Sequence, residues 1–200
     1  LQLKAMNWSP NLLEMGHFET AEEFIGPLTE SIRPHLSEDT HLLFSYHGLP
    51  VSHVKRIDRS KTHCQTVEAC CTVKCDANSL CYGRHCNETT MAVVERLGLK
   101  PDQWSLSYQS RLGPVKWLEP STTQMVEALV KKGVKKLAIV APAFLADGLE
   151  TLEELDIGIR EEFMEHGGTE LKVINCLNDD EQWVRGLEQL IAKEFEQAVA

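Results

Sequence analysis

The sequence predicts an α/β domain: a four-stranded parallel sheet flanked by helices. Three observations carry this. Four short apolar runs occur, at residues 41–46, 104–109, 136–141 and 171–176. Each is followed by a stretch of helical periodicity. Glycine or proline marks most of the ends, as at Gly98, Gly133, Pro142 and Gly167. Strands alternating with helices require crossover connections, which give a parallel sheet covered on both faces.

The elements follow in order. Residues 1–19 carry Gly, Pro and Asn without a period and read as a lead-in. Thr20 and Glu23 have capping-box spacing, and Phe24, Leu28, Ile32 and Leu36 follow at helical intervals. Pro27 conflicts with that helix. It would kink it, or move its start to Gly26 as N-cap. The first strand ends at His47, where Gly48 permits a sharp turn and Pro50 stops the run. Helices are expected at 88–97, 122–132, 149–166 and 179–198. The order is β-α-β-α-β-α-β-α, a Rossmann-like arrangement with right-handed crossovers. Residues 1–40 form a lead-in segment and helix. Residues 41–200 form the main α/β domain, with a cysteine-rich insert at 60–87.

Composition narrows the function classes. Of 200 residues, 42% are hydrophobic, enough for a real core, and the net charge is −10. An acidic chain without a long basic run is a poor partner for nucleic acid. No apolar stretch reaches membrane-spanning length and no secretory signal is visible, so a cytoplasmic location is expected. The chain begins with Leu1 rather than Met, consistent with a fragment or a processed product.

Two segments carry the chemistry. LLFSYHGLP places His47 just past the first strand. APAFLADGLETLEEL places Asp147, Glu150 and Glu154 just past the third. In an open α/β sheet both end on the carboxyl edge, where ligands bind. Histidine is the natural base there, since its pKa sits near neutrality. On an α-helix the three carboxylates share one face, while Glu153 and Asp156 fall elsewhere. Plainer readings stand beside these. A strand-end histidine can simply bond a loop, and acidic residues suit any helix start. Gln109, Ser110 and Arg111 end the second strand. Trp117, in a loop between Pro114 and Pro120, is either packing or a flat wall for a planar ligand.

Six of the seven cysteines, 64, 70, 71, 75, 81 and 86, fall in one segment. No pair of CxxC knuckles is present, which argues against a zinc ribbon. Four thiolates at irregular loop spacing can hold an iron–sulfur cluster. Zinc aided by His63 or His85 is the alternative. Adjacent Cys70 and Cys71 point apart, so one of them at most is expected as a ligand.

SYHGLP, QSRLGPVKWLEP and AFLADGLETLEEL stand in the order and spacing seen in ferrochelatases, and the chain resembles that family from about Phe18 to its C-terminus. The resemblance implies insertion of ferrous iron into a porphyrin, protoporphyrin IX, to give protoheme. It implies a class II chelatase-type half, with the N-terminal domain of the same enzyme as missing partner. It also implies a cytoplasmic enzyme with peripheral membrane contact. His47 and Glu150 match the catalytic pair, which also binds the substrate iron. Asp147 and Glu154 match the acidic metal path, on a helix that is locally π-wound in the family. Tyr46, Gln109, Ser110, Trp117 and Phe144 match the porphyrin pocket. A [2Fe–2S] cluster is implied on Cys64, Cys71, Cys75 and Cys81, with Cys70 or Cys86 as replacements. The family's histidine position beside the acidic residues is Gly148 here. Other readings are a short homodimeric class II chelatase for another tetrapyrrole, and a metal- or redox-sensing module.

Overall fold

A computed structural model of the chain describes residues 13–199. The elements are α1 (Glu22–Ile32), β1 (Thr40–His47), α2 (Val51–Ile57), α3 (Tyr82–Leu97), β2 (Trp104–Gln109), α4 (Thr122–Lys131) and β3 (Lys136–Val140). A π-helix (Glu150–Ile159) then runs directly into α5 (Arg160–Glu165), followed by β4 (Glu170–Val173) and α6 (Glu181–Val199). The four strands form one parallel sheet in the order β2-β1-β3-β4, as the alternation of strands and helices predicts.

β1 is an inner strand, buried along nearly its whole length. Its side chains alternate between two cores. Leu42, Phe44 and Tyr46 pack with Phe24, Ile32, Val93 and Trp183 on the face covered by α1, α3 and α6. Leu43 packs with Val126, Leu155, Ile159 and Phe163 on the opposite face. Alternation therefore sends His47 to the second face, the side of the π-helix. β4 is an edge strand, and only every second residue is buried.

Several expectations need correction. α1 begins at Glu22 behind Ala21, and no side chain caps it, so the Thr20–Glu23 box does not form. Gly26 is not an N-cap either. The helix runs through Pro27, its sixth residue, so the Glu23 carbonyl lacks its usual intrahelical amide partner. Helix α2 was not expected. Pro50 stops β1 but also starts this helix, burying Val51 and Val54. α3 begins at Tyr82, six residues before the expected 88. β4 ends at Val173, so Cys176 lies beyond the strand.

The π-helix has its own burial rhythm. Thr151, Leu155 and Ile159 are buried, and Phe163 continues the series into α5. That is a four-residue step, where an α-helix would drift to three. The wider turn leaves Leu149 at 79%, Leu152 at 56% and Ile157 at 53% exposure.

Candidate active site and cysteine centre

The carboxyl edge of the sheet is assembled by four segments. Gly48 N–H donates to the Gln109 carbonyl at 2.8 Å, so the turn after β1 continues the pairing with β2. A Cβ on Gly48 would lie 2.7 Å from that oxygen and 3.3 Å from the Trp117 ring, so only glycine fits here. The 114–118 loop closes over the turn. Val51 N–H donates to the Lys116 carbonyl, Leu118 N–H to the Leu49 carbonyl, and Pro50 forms an antiparallel bridge with Trp117. Arg111 secures the loop by donating to the Leu118 carbonyl at 2.8 Å.

His47 stands half-buried at this edge. Its Nδ1 is 2.7 Å from the Gly48 carbonyl. A carbonyl can only accept, so Nδ1 donates here, and in a neutral ring the lone pair falls to Nε2. The ring lies 6.1 Å from that of Phe144, and the His47 carbonyl accepts from the Tyr82 hydroxyl at 2.8 Å.

The three carboxylates are held differently. Glu154 accepts from both the main-chain N–H and the hydroxyl of Ser110, at 2.6 and 2.5 Å. Ser110 adopts φ +62°, an uncommon conformation for a non-glycine residue, and so presents both donors at once. Asp147 precedes the helix rather than lying on its face. It accepts from Thr151, from Asn178 and from the Cys176 amide. Burial alone would raise its carboxyl, but the bonds from Asn178, Cys176 and Thr151 outweigh that and hold it below the usual range. Glu150 is bonded only through its main chain, whose carbonyl accepts from Gln109 Nε2 at 2.9 Å. Its carboxylate leans over Gly148, where a Cβ would come within 3.3 Å.

Two expected pocket residues are interior. Gln109 is 2% exposed, and its amide is used at both ends, by the Ser45 hydroxyl and by Glu150. Tyr46 is also 2% exposed and shares a hydrogen bond with Thr90 on the face opposite His47. Phe144, Trp117 and Ser110 stay at the edge.

The cysteine segment starts from a residue the sequence reading missed. The buried Asp58 carboxylate accepts from the amides of Ser60, His63 and Cys64 and from the Ser60 hydroxyl. The Ser60 hydroxyl first, then the amides, hold its pKa far down. Asn78 plays the same part later, donating to the Cys70 and Val73 carbonyls at 2.8 Å each. Both are Asx residues in a Gly-free loop, the one signal that sequence offered.

Cys64 and Cys71 both act electrostatically on the Cys81 thiol, and Cys70 Sγ lies 3.8 Å from Cys71 Sγ. Cys81 precedes α3, and the amides of Gly83 and Arg84 join the Cys71 thiol in favouring its thiolate. Cys64 is pushed up to about 12, chiefly by burial. A Cβ on Gly83 would sit 3.0 Å from Cys71 Sγ, so the bare glycine admits the sulfur. Cys75 is placed apart, 3.6 Å from His63 Nε2. Cys70 thus lies beside Cys71 in this arrangement, while Cys75 faces His63. Cys86 is buried in the main core, where desolvation keeps its thiol protonated. Arg84 is 5% exposed, and its Nε and Nη1 have no partner among the described residues. Its Nη2 pairs with Glu88 at 3.0 Å and donates to the Ser79 carbonyl at 3.3 Å.

No helix among the described residues is long and apolar enough to cross a membrane. The sequence profile of the ferrochelatase family matches residues 1–195. The ferrochelatase of Pseudomonas fluorescens (strain Pf0-1) is 44% identical over 86% of this chain and 51% of its own length. That of Bdellovibrio bacteriovorus is 40% identical over 94% and 56%. A putative cobalamin biosynthesis CbiX protein from Marinobacter aquaeolei superposes with TM-score 0.45 at 17% identity, over 79% of this chain and 98% of its own. The chain spans about half the length of the curated ferrochelatases it matches. With a profile match across nearly all its residues, it belongs to the ferrochelatase family.

Proposed function

We propose that this chain supplies the metal-insertion edge of an enzyme that places ferrous iron in a porphyrin, protoporphyrin IX in the family's reaction. The observation that carries the reading is the pairing of a committed His47 Nδ1 with an uncommitted Glu150 carboxylate. Insertion releases two pyrrole protons as a dication enters. His47 Nε2 is free to take one proton. Glu150, whose carboxylate has no donor on it among the described residues, receives the second or meets the metal. Asp147 and Glu154 are hydrogen-bonded and act as fixed negative charge along the approach, in a field that favours a cation. Trp117 and Phe144 form flat apolar walls suited to a macrocycle. Tyr46 and Gln109 act from behind, as supports. The exposed Leu112, Leu149 and Leu152 offer apolar surface to the porphyrin or to the other half of a longer chain.

The cysteines are the second part of the proposal. Cys64, Cys70, Cys71 and Cys81 would hold a [2Fe–2S] cluster, with Cys75 the replacement should the loop rearrange. No three of these sulfurs lie within 4.8 Å of one another among the described residues. One tetrahedral zinc would draw all four to edges of roughly 3.8 Å, given Zn–S bonds of about 2.3 Å. An extended row suits two metals better. Such a cluster supplies a one-electron centre and a covalent staple.

The test is iron insertion by the longest available form of the protein, with porphyrin binding followed separately. His47→Ala should abolish insertion and spare binding, and Glu150→Gln should be far more damaging than Glu153→Gln. Normal turnover by His47→Ala would end the reading. Activity of the 200-residue chain only as a dimer, on another tetrapyrrole, would favour a short homodimeric chelatase. Acid-labile sulfide without any insertion activity would favour a redox or metal-sensing module.

A further inference from the structure

We infer that His17, Glu19 and His85 form a second divalent-cation site, separate from His47 and Glu150 and from the cysteines. One ligand atom from each lies within 4.8 Å of the other two, the one such group of three among the described residues. His85 Nε2 is 3.4 Å from a Glu19 oxygen, and His17 Nδ1 is 3.9 Å from the other. A tetrahedron with metal–ligand bonds of about 2.0–2.1 Å has edges of about 3.4 Å, so small side-chain shifts close the group on an ion. The donor set of two imidazoles and a carboxylate selects a borderline cation such as Fe²⁺, Co²⁺ or Zn²⁺ over Mg²⁺ or Ca²⁺.

The group is built on an anchored backbone. Phe18, between the two N-terminal ligands, packs edge-on against Phe24 at 5.6 Å and stacks on Trp183 at 6.2 Å. The Glu19 carbonyl accepts from Thr89 in α3 at 2.9 Å. His85 projects from the first turn of α3. Its Nε2 also lies 3.0 Å from the Ser79 carbonyl, a contact a metal would replace, with the ring proton moving to Nδ1. The His85 side chain is 14% exposed and that of His17 61%. Coordination is thus closed on one side and open to water on the other, as in an exchangeable site rather than a structural one.

Position gives the site its interest. The three ligands rim a pocket of about 300 Å³ that continues along Tyr46, Pro142 and Ala143. Tyr46 precedes His47, and Ala143 precedes Phe144. The pocket therefore reaches the carboxyl edge from the face opposite the His47 imidazole. A cation held here waits one strand thickness from the insertion edge.

The experiment is a cobalt(II) soak of crystals of the full chain, purified anaerobically, with anomalous scattering to locate the ion. Titration calorimetry with the same metal in solution accompanies it. The expected result is a peak enclosed by His17, Glu19 and His85 that vanishes in His85→Ala, with affinity at this site lowered by at least about tenfold. His17→Ala, on an exposed side chain before α1, is the second variant if His85→Ala disturbs α3. Cobalt found only at His47 or the sulfurs would overturn the inference, as would unchanged affinity in the Glu19→Gln/His85→Ala double variant. Cobalt at this site in a protein that fails to metallate porphyrin would overturn the functional proposal and leave this one standing.

Discussion

The carboxyl edge of the sheet and the cysteine segment are held in opposite ways. At the edge, each candidate side chain hangs from a strand end or a helix, and its neighbours are already fixed by main-chain bonds. Behind it lie two apolar cores. The segment between α2 and α3 has no strand and only one short 3₁₀ turn, Asp76–Asn78. Its branched apolar side chains point outward, Val67 at 49%, Val73 at 69% and Leu80 at 49% exposure, whereas Cys64, Cys70 and Cys81 are 2%, 8% and 1% exposed. The segment has turned itself inside out around sulfur. Ordering roughly two dozen residues costs on the order of 1–2 kcal/mol each, and a few half-exposed valines do not offset that. The centre proposed on the thiols would, as in small metal-stapled domains.

The largest effect should follow from breaking the better-packed region. Phe163 is fully buried between the π-helix, β3 and β4. Phe163→Ala should cost about 3–5 kcal/mol of global stability. Denaturant unfolding measures it. A loss below about 1 kcal/mol would mean that the second core is not what holds the sheet.

The next effect is local. Cys81→Ser removes the thiol on which both Cys64 and Cys71 act electrostatically. Amides of residues 58–81 should lose hydrogen-exchange protection while β1 and β3 keep theirs. Cys75→Ser should leave both regions protected, because Cys75 faces His63 instead. Equal loss in the two variants would return Cys75 to the ligand set.

A smaller effect tests the link between the regions. Tyr82 follows Cys81 directly and donates to the His47 carbonyl. Tyr82→Phe should cost about 1 kcal/mol, the usual net worth of such a bond. It should also loosen His47 without disturbing the sulfurs. An unshifted His47 ring resonance in NMR would show that the two regions are independent.

Much of this was legible in the sequence, for identifiable reasons. The strands read clearly because both sheet faces are covered, which turns them into plain apolar runs. The edge position of His47, Phe144 and Trp117 followed from the strand ends. What failed shares one cause: local pattern was overruled by partners far away in the chain. Gln109 reads as a polar strand end, yet Ser45 and Glu150 consume its amide. Asp147, Glu150 and Glu154 read as one helix face, but Asp147 is drawn to residues 176–178 before the helix begins. That Cys70 lies beside Cys71 and Cys75 beside His63 depends on loop turns set by Asp58 and Asn78, which no periodicity announces.

The smallest expected effect isolates Asp147. Its carboxyl is depressed in the folded chain, so it contributes stability that is fully present above its unfolded pKa of about 3.9 and is lost as pH falls through the lower folded value. Below that, a protonated Asp147 can no longer accept from Thr151, Cys176 and Asn178 together, and the connection from β4 to α6 should loosen first. Asn is the sharp test. Asn178 Oδ1 already accepts from the Asp147 main-chain N–H, so its Nδ2 must face the side chain at 147. In Asp147→Asn an amide that points its own NH₂ there opposes a donor, and one that points its oxygen there keeps a single, uncharged bond. The variant should therefore melt below the wild type at pH 7 and approach it at pH 3, with a flatter acid limb. Parallel melting curves for the two proteins across that range would show that Asp147 is not bound to the 176–178 turn in solution. Its place as fixed charge on the metal approach would then have to be given up.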